Sequence, residues 1–485
     1  MIDTFGFRFP LSRILVQMAA FLALVYSGAM LASTASSVDQ HGITWHFDKD
    51  YQVGQYANGD WWVVGPVTIT RITPESTTVN GRVVHGSMLN PNGFQNGWDS
   101  HSSTDAGTYP SYNSQYNVAP SVAGQALSLS EGSIVSAISS FSSNIGGSNR
   151  GVIDKYAILT VVPEAPPEGA FRPDPYGTDK TSYWTESRLD YGILRSLPPV
   201  ANTPSLQNVI DSVSGFWNDH IPANGGWRQQ PFTARSFQRS YGRDIGNDSG
   251  HALLSLHLDY SNEEKRDLFV HMVQKGIDIY GRQQLGGDLW SNNGAHYGSQ
   301  KARMVLAAMA LGDADMIAAS DAEEYLVHGM DQQTFYVTQE DVDRVSDNDS
   351  TGTSGNSCGT SGASLYEPED LGIAEWGRSH TTAPAQFDCR LWGASYRWIG
   401  GSYAGNVLAI QLIPGAKEAW NHPALFDYSD RYFDIETDSG ATWGVGGGAN
   451  QLRAFFADMY KAYSGLAGET GGPRPSPPII QGDPR

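Results

Sequence analysis

The chain changes its hydrophobic period once, and the change falls on a run of prolines. Pro163, Pro166, Pro167, Pro173 and Pro175 crowd the stretch 163–178. Each proline fixes its own φ and lacks a backbone donor, so neither a helix nor a central strand passes through such a stretch. Upstream, apolar and polar residues alternate, which is the period of strands. Ile43, Trp45 and Phe47 share one face, and Val67, Ile69 and Arg71 alternate with Thr68, Thr70 and Ile72. Asn58-Gly59 between aromatic flanks is a hairpin signal over Gln55–Val64. Short runs at 83–85, 126–129, 133–138 and 157–162 continue the pattern around an irregular stretch at 90–119. Downstream the period becomes 3.6, over 206–217, 252–258, 268–280, 301–311, 407–412 and 452–463.

The expected fold class is therefore multidomain α and β. An N-terminal antiparallel β-sandwich at 40–163 is followed by a Pro-rich linker at 164–179 and an α/α toroid (helical barrel) at 180–465, with a flexible tail at 466–485. Ahead of these, Arg8 and Arg13 precede an apolar run from Ile14 to Leu31, and the small residues Ser33 and Ala35 offer a cleavage site. Residues 1–35 read as a secretory signal peptide. A secreted or periplasmic protein with no stable membrane span after cleavage is expected; the other reading of this run is an uncleaved anchor.

Composition narrows the function classes. Charged residues are 17 % and hydrophobic ones 40 %, which excludes a disordered chain. The net charge of −20 argues against a nucleic-acid partner, because phosphate binding needs a basic face. It does not exclude an acidic ligand held by a local arginine cluster. The two cysteines, Cys358 and Cys389, read either as a bridge in an oxidising compartment or as separate thiols. Asp347, Asp349 and Gly352 imitate a calcium loop, but Thr351 and the missing closing Glu break the pattern, so no metal site is assigned.

Chemistry-bearing residues gather in three interhelical stretches. The first, 227–251, holds Arg235, Arg239, Tyr241, Arg243, Asp244, Asn247, Asp248 and His251. These read either as an anion-binding groove or as loop arginines paired with their own aspartates. The second, 286–301, places Trp290, Asn292, Asn293, His296 and Tyr297 just before an apolar helix. His and Tyr side by side can transfer a proton; the plainer reading is a helix cap. The third, 366–403, carries Glu375, Trp376, Arg378, His380, Arg390 and Tyr396. A fourth stretch, from Trp420 to Arg431, reads as structural hydrogen bonding between helices.

Three runs, SNNGAHYGSQK at 291–301, EWGRSH at 375–380 and WNHPALFDYSDRYF at 420–433, resemble secreted polysaccharide lyases with an α/α toroid, in particular the alginate-lyase-like group. The first run departs from the Asn-Asn-His stretch of that group, since Gly294 and Ala295 separate Asn293 from His296. The resemblance covers residues 180–465 and implies β-elimination on an acidic polysaccharide, such as alginate or a related polyuronate.

That reaction removes the C5 proton of a uronate, beside a carboxylate that resists further negative charge. Donors must neutralise the carboxylate, a base must take the proton, and an acid must protonate the departing oxygen. The expected assignment gives neutralisation to Asn293 with Arg243, and the base role to His296, with His380 as a second candidate. Tyr297 or Tyr396 is the acid. Arg239, Arg378 and Arg390 hold flanking uronates, Tyr241 and Asn292 assist binding, and Trp290 and Trp376 stack on sugar faces. The protein itself supplies the neutralisation, so no metal or cofactor is required. Two alternatives stay open. One is an inverting glycoside hydrolase with Glu375 as acid and Asp248 or Asp288 as base. The other is a non-catalytic glycan-binding protein. The oligomeric state is not expressed in the sequence.

Overall fold

The computed structural model describes residues 33–79, 82–92, 95, 97, 112–140, 153–176, 180, 184–214, 242–286, 300–347, 366, 368–377, 395–437 and 452–467. A β-rich N-terminal unit precedes a helical one, in the order the change of period predicts.

The strands are β1 (Ser33–Gln40), β2 (Ile43–Gln55), β3 (Trp61–Val64), β4 (Val67–Thr73), β5 (Thr77–Val79), β6 (Arg82–Val84), β7 (Gly86–Leu89), β8 (Leu127–Leu129), β9 (Ser133–Ser140) and β10 (Ile153–Val162). The expected β2–β3 hairpin is present, with Gly59 at φ +88° and the Asn58 amide donating to Asp60 at 2.8 Å. That φ favours glycine because no Cβ is there to clash.

The sandwich expectation needs correction. Eight strands pair in one curled sheet, in the order β7-β9-β10-β3-β2-β4-β8, with β1 also on β2. The reason lies in β2, whose 13 residues pair with three other strands of the same sheet. Its first part pairs with β1 on one edge and β4 on the other (Trp45 opposite Val38 and Ile72). Its last part pairs with β1 and β3 (Val53 opposite Ser33 and Val63). Thus β3 and β4 share one edge of a single strand, and the sheet curls over its own apolar face. Trp45, Ile69, Val63, Val135 and Leu159 meet there in one buried cluster. The expected signal-cleavage position, Ala35, lies inside β1 at a break in its register with β2.

The helical unit contains α1 (Leu206–Val213), α2 (Gly242–Leu256), α3 (Asn262–Gln284), α4 (Gln300–Leu311), α5 (Ala314–Ala319) and α6 (Gly329–Gln333). Next come β11 (Thr334–Tyr336), α7 (Gln339–Asp347), β12 (Ala374–Trp376), α8 (Ser395–Gln411), α9 (Ala416–Trp420), α10 (Pro423–Thr437) and α11 (Ala454–Tyr463). The start of α3 is fixed by a capping box: Ser261 Oγ accepts from Glu264 N–H, and the Glu264 carboxylate accepts from Ser261 N–H. α3 packs antiparallel to α4: the edge of Tyr191 meets Phe269 early in α3, while Asp190 N–H donates to Ala310 O late in α4.

α2 and α8 run in the same direction. Asn406 Nδ2 donates to Gly246 O at 2.8 Å, and further along both helices the His257 ring bonds to the Ala409 backbone. Gly250 and Gly405 both face Phe456, with no room for a Cβ at either.

The segment expected as a linker is instead built into the structure. Ala170 joins a buried cluster on the sheet side with Tyr56, Trp62 and Val162, and its neighbour Phe171 joins the helical core. Arg172, fully buried, lies between the two units. A turn at 167–170, with Gly169 at φ +66° and Ala170 N–H donating to Pro167 O at 3.1 Å, sets Ala170 and Phe171 toward different cores.

Candidate functional site

The segment Arg188–Leu197 runs across the carboxyl ends of three helices. Arg188 donates to Leu311 O at 3.2 Å at the end of α4. Leu197 N–H donates to His257 O at 2.9 Å beyond α2, and Arg195 Nε to Leu412 O at 3.0 Å beyond α8. Last-turn carbonyls without intrahelical partners are thereby satisfied. The Met309 side chain of α4 also reaches Gly415, just past α8. α2, α4 and α8 therefore share one direction, and their amino ends face away from this segment. The stretches 215–241, 287–299 and 378–394 lead directly into those three amino ends.

Ten of the expected site residues belong to these stretches. Arg239, Tyr241, Trp290, Asn292, Asn293, His296, Tyr297, Arg378, His380 and Arg390 lie outside the described residues, as do Cys358 and Cys389. Arg243 and Tyr396 are placed by the backbone in the first turns of α2 and α8. Because those helices are parallel neighbours, the two residues stand at the same end. Helix amino ends carry partial positive charge, which favours carboxylates and lowers the cost of a tyrosinate.

Beneath these ends lies a buried polar layer. Asn247 and Asp248 stand in the second turn of α2. His251, one turn on, donates from Nδ1 to Asn247 O at 2.7 Å. A carbonyl only accepts, so this bond fixes a proton on Nδ1. Tyr403 and Asn406 continue the layer on α8, both buried. The Tyr403 ring stacks on Trp376 at 5.8 Å between centroids.

Trp376 is corrected. The sequence reads it as a sugar platform, but it is only 3 % exposed, with Tyr403 stacked on it and Tyr428 tilted against it at 5.6 Å. Glu375 is corrected as well. Its Oε1 accepts from Arg431 Nη1 at 2.5 Å, Tyr366 donates to its Oε2 at 3.4 Å, and it is 2 % exposed. A carboxylate buried against a guanidinium is held in packing by that ion pair, and the pair must break before it can serve as an acid. Arg431 also donates to Ala374 O at 3.0 Å, and Gly377 N–H donates to Gln333 O at 2.6 Å. Together with the β11–β12 pairing, these bonds fix the chain just before stretch 378–394.

Residues of the Trp420–Arg431 stretch make structural hydrogen bonds, as the sequence leads one to expect. Asp331 accepts from both Trp420 Nε1 and Lys301 Nζ, and Lys301 lies over the Trp420 ring. Burial pulls the Lys301 pKa below the usual lysine value, against the attraction of Asp331. Asn421, at φ +51°, donates to Asp321. The Thr334 hydroxyl gives its proton to Met330 O, so at 2.7 Å His422 Nε2 donates to Thr334 Oγ1. That nitrogen is committed and is no base. This network ties the first turn of α4 to α6 and α9.

Sequence reasoning missed these buried charges: Lys301, Asp331, Arg431, Arg172 and Asp278. Lys301 and Arg303 inside the otherwise apolar run of α4 were the available signal, since such residues are rarely buried without partners. Among the described residues no cluster of His, Cys, Asp and Glu is arranged to hold a metal ion. No helix among them is long and apolar enough to cross a membrane. A scan against protein-family models and searches of curated proteins and of solved structures each gave no match.

Proposed function

We propose that this chain is a secreted or periplasmic polysaccharide lyase that cleaves a uronic-acid polymer, alginate or a related polyuronate, by β-elimination. The helical unit is read as an α/α toroid with the groove at the amino ends of α2, α4 and α8. The observation that supports this reading is the common direction of those three helices. In the sequence, stretches rich in Arg, Tyr, Asn and His immediately precede these three helices.

Asn293 and Arg243 neutralise the uronate carboxylate, and so lower the cost of the charge that develops when C5 is deprotonated. His296 takes the C5 proton, with His380 as the other candidate. The electron pair forms the C4–C5 double bond as the C4–O bond breaks. Tyr297 or Tyr396 gives its proton to the departing oxygen. Arg239, Arg378 and Arg390 bind neighbouring uronates, with Trp290, Tyr241 and Asn292 beside them. Trp376 and Glu375 take no part, being buried in packing and in an ion pair. An acid role for Glu375 would first require breaking that ion pair, which favours the lyase reading over the hydrolase.

The test is incubation of the purified protein with a panel of polyuronates. Ultraviolet absorbance of the C4–C5 double bond is followed beside new reducing ends. Absorbance and reducing ends rising together support the lyase. Reducing ends without absorbance mean hydrolysis through other carboxylates. Binding without either means a glycan-binding protein.

A further inference from the structure

We propose that the curled sheet is a permanent wall of the helical unit, seated on the polar face of α3 that carries Gln274, Lys275 and Asp278, and not a detachable glycan-binding module. The inference does not depend on the reaction proposed above. It rests on a buried seam whose groups come from both units.

Arg172 is the centre of the seam. Its Nε donates to Asp60 of the β2–β3 turn at 2.5 Å, and its Nη2 to both oxygens of Asp278 on α3 at 2.9 Å. Its backbone N–H donates to Gln274 Oε1 at 2.9 Å, and Gln274 Nε2 returns a bond to Arg172 O at 2.9 Å. One turn away, Lys275 Nζ donates to the Tyr156 hydroxyl of β10 at 2.6 Å and lies over its ring. Ala57 N–H donates to Ala170 O at 2.8 Å, and Ala57 packs on the helical core.

Each half would be left in poor condition alone. The sheet would carry an Asp60 that has lost its guanidinium. α3 would present Lys275 and Asp278, each no more than 4 % exposed here, to water on a face shaped for other groups. Modules that move on linkers meet through wet, largely polar contacts instead. Here the paired charges are dry, and breaking such a pair leaves an uncompensated buried charge.

The test uses the full chain with a specific protease site inserted at the exposed turn Glu164-Ala165, where a cut separates the sheet from Arg172 and the helices. The nicked wild type is expected to elute from gel filtration as one species. The uncut protein should melt in a single calorimetric transition. Asp60→Asn combined with Tyr156→Phe, nicked in the same way, should release the sheet fragment at a lower denaturant concentration than the wild type. Two independent transitions in the uncut wild type would overturn the proposal. So would nicked halves that part without denaturant and keep their circular dichroism. The calorimetric arm needs no variant and decides the matter even if the double substitution fails to fold.

Discussion

Two fully enclosed histidines, His257 and His328, and the half-buried His271 make this protein acid-sensitive in a calculable way. Burial drives His257 to a pKa of about 3, with Lys265 and Arg195 adding to the effect. Burial likewise takes His328 to about 3 and His271 to about 4. His257 is locked neutral, since Nδ1 accepts from Arg195 N–H at 3.1 Å while the ring also bonds to the Ala409 backbone. In the unfolded chain these imidazoles take protons near pH 6.5, and in the folded chain they do not. Their folded pKa values are depressed, so the stability they contribute is present above about pH 6.5 and lost as the pH falls toward about 4. Each such proton costs about 1.4 kcal/mol per pH unit, so the three together cost about 4 kcal/mol per unit. Asp174 works the other way. Burial raises its pKa to about 6, so between about pH 6 and its unfolded value the folded chain binds the extra proton. It returns about 1.4 kcal/mol per unit, leaving a net loss of about 3 kcal/mol per unit. The summed loss reaches about 5 kcal/mol by about pH 5 and about 8 kcal/mol by about pH 4, a large part of the about 5–15 kcal/mol that folded proteins hold, so stability is expected to fall steeply over that range. Urea titrations followed by tryptophan fluorescence at several pH values from about 7 to 5 measure the slope. His257→Gln should remove about a third of the histidine contribution, about 1.4 kcal/mol per unit. A flat stability profile over that range, or a slope that His257→Gln leaves unchanged, would refute the reasoning.

Other perturbations test other parts of the structure. Arg431→Leu strands the Glu375 charge in the core and should cost about 3–5 kcal/mol, whereas Arg431→Leu with Glu375→Leu should recover most of the loss in urea titration. Gly276→Ala would bring a Cβ to 2.4 Å from both the Ala307 Cβ and the Arg303 carbonyl oxygen, and should lower the melting temperature by the equivalent of about 1–3 kcal/mol. Ser261→Ala breaks the capping box of α3 and should cost about 1 kcal/mol, read as a shift in the urea midpoint. If the proposed lyase is correct, Asn293→Ala should lower turnover on a responding polyuronate by about 10²–10³-fold. Its melting temperature should be unchanged. Loss of turnover through unfolding alone would show as a parallel drop in melting temperature.

Several features follow from local sequence alone. The change of period at the prolines set the order of a β unit and a helical unit, because backbone periodicity is a local property. Asn58-Gly59 specified its hairpin for the same reason, as Ser261 and Glu264 specified the start of α3. Only the tertiary structure decided the rest. One curled sheet formed because a 13-residue β2 pairs with two strands along a single edge, a non-local choice that alternation does not encode. The linker became a seam because Arg172 finds Asp60 and Asp278, residues more than a hundred positions away in sequence. Trp376 and Glu375 look exposed and reactive in the chain, but Tyr403 and Arg431 enclose them. A residue type states what chemistry is available. Burial and partners, which are set by long-range packing, determine whether that chemistry reaches a ligand.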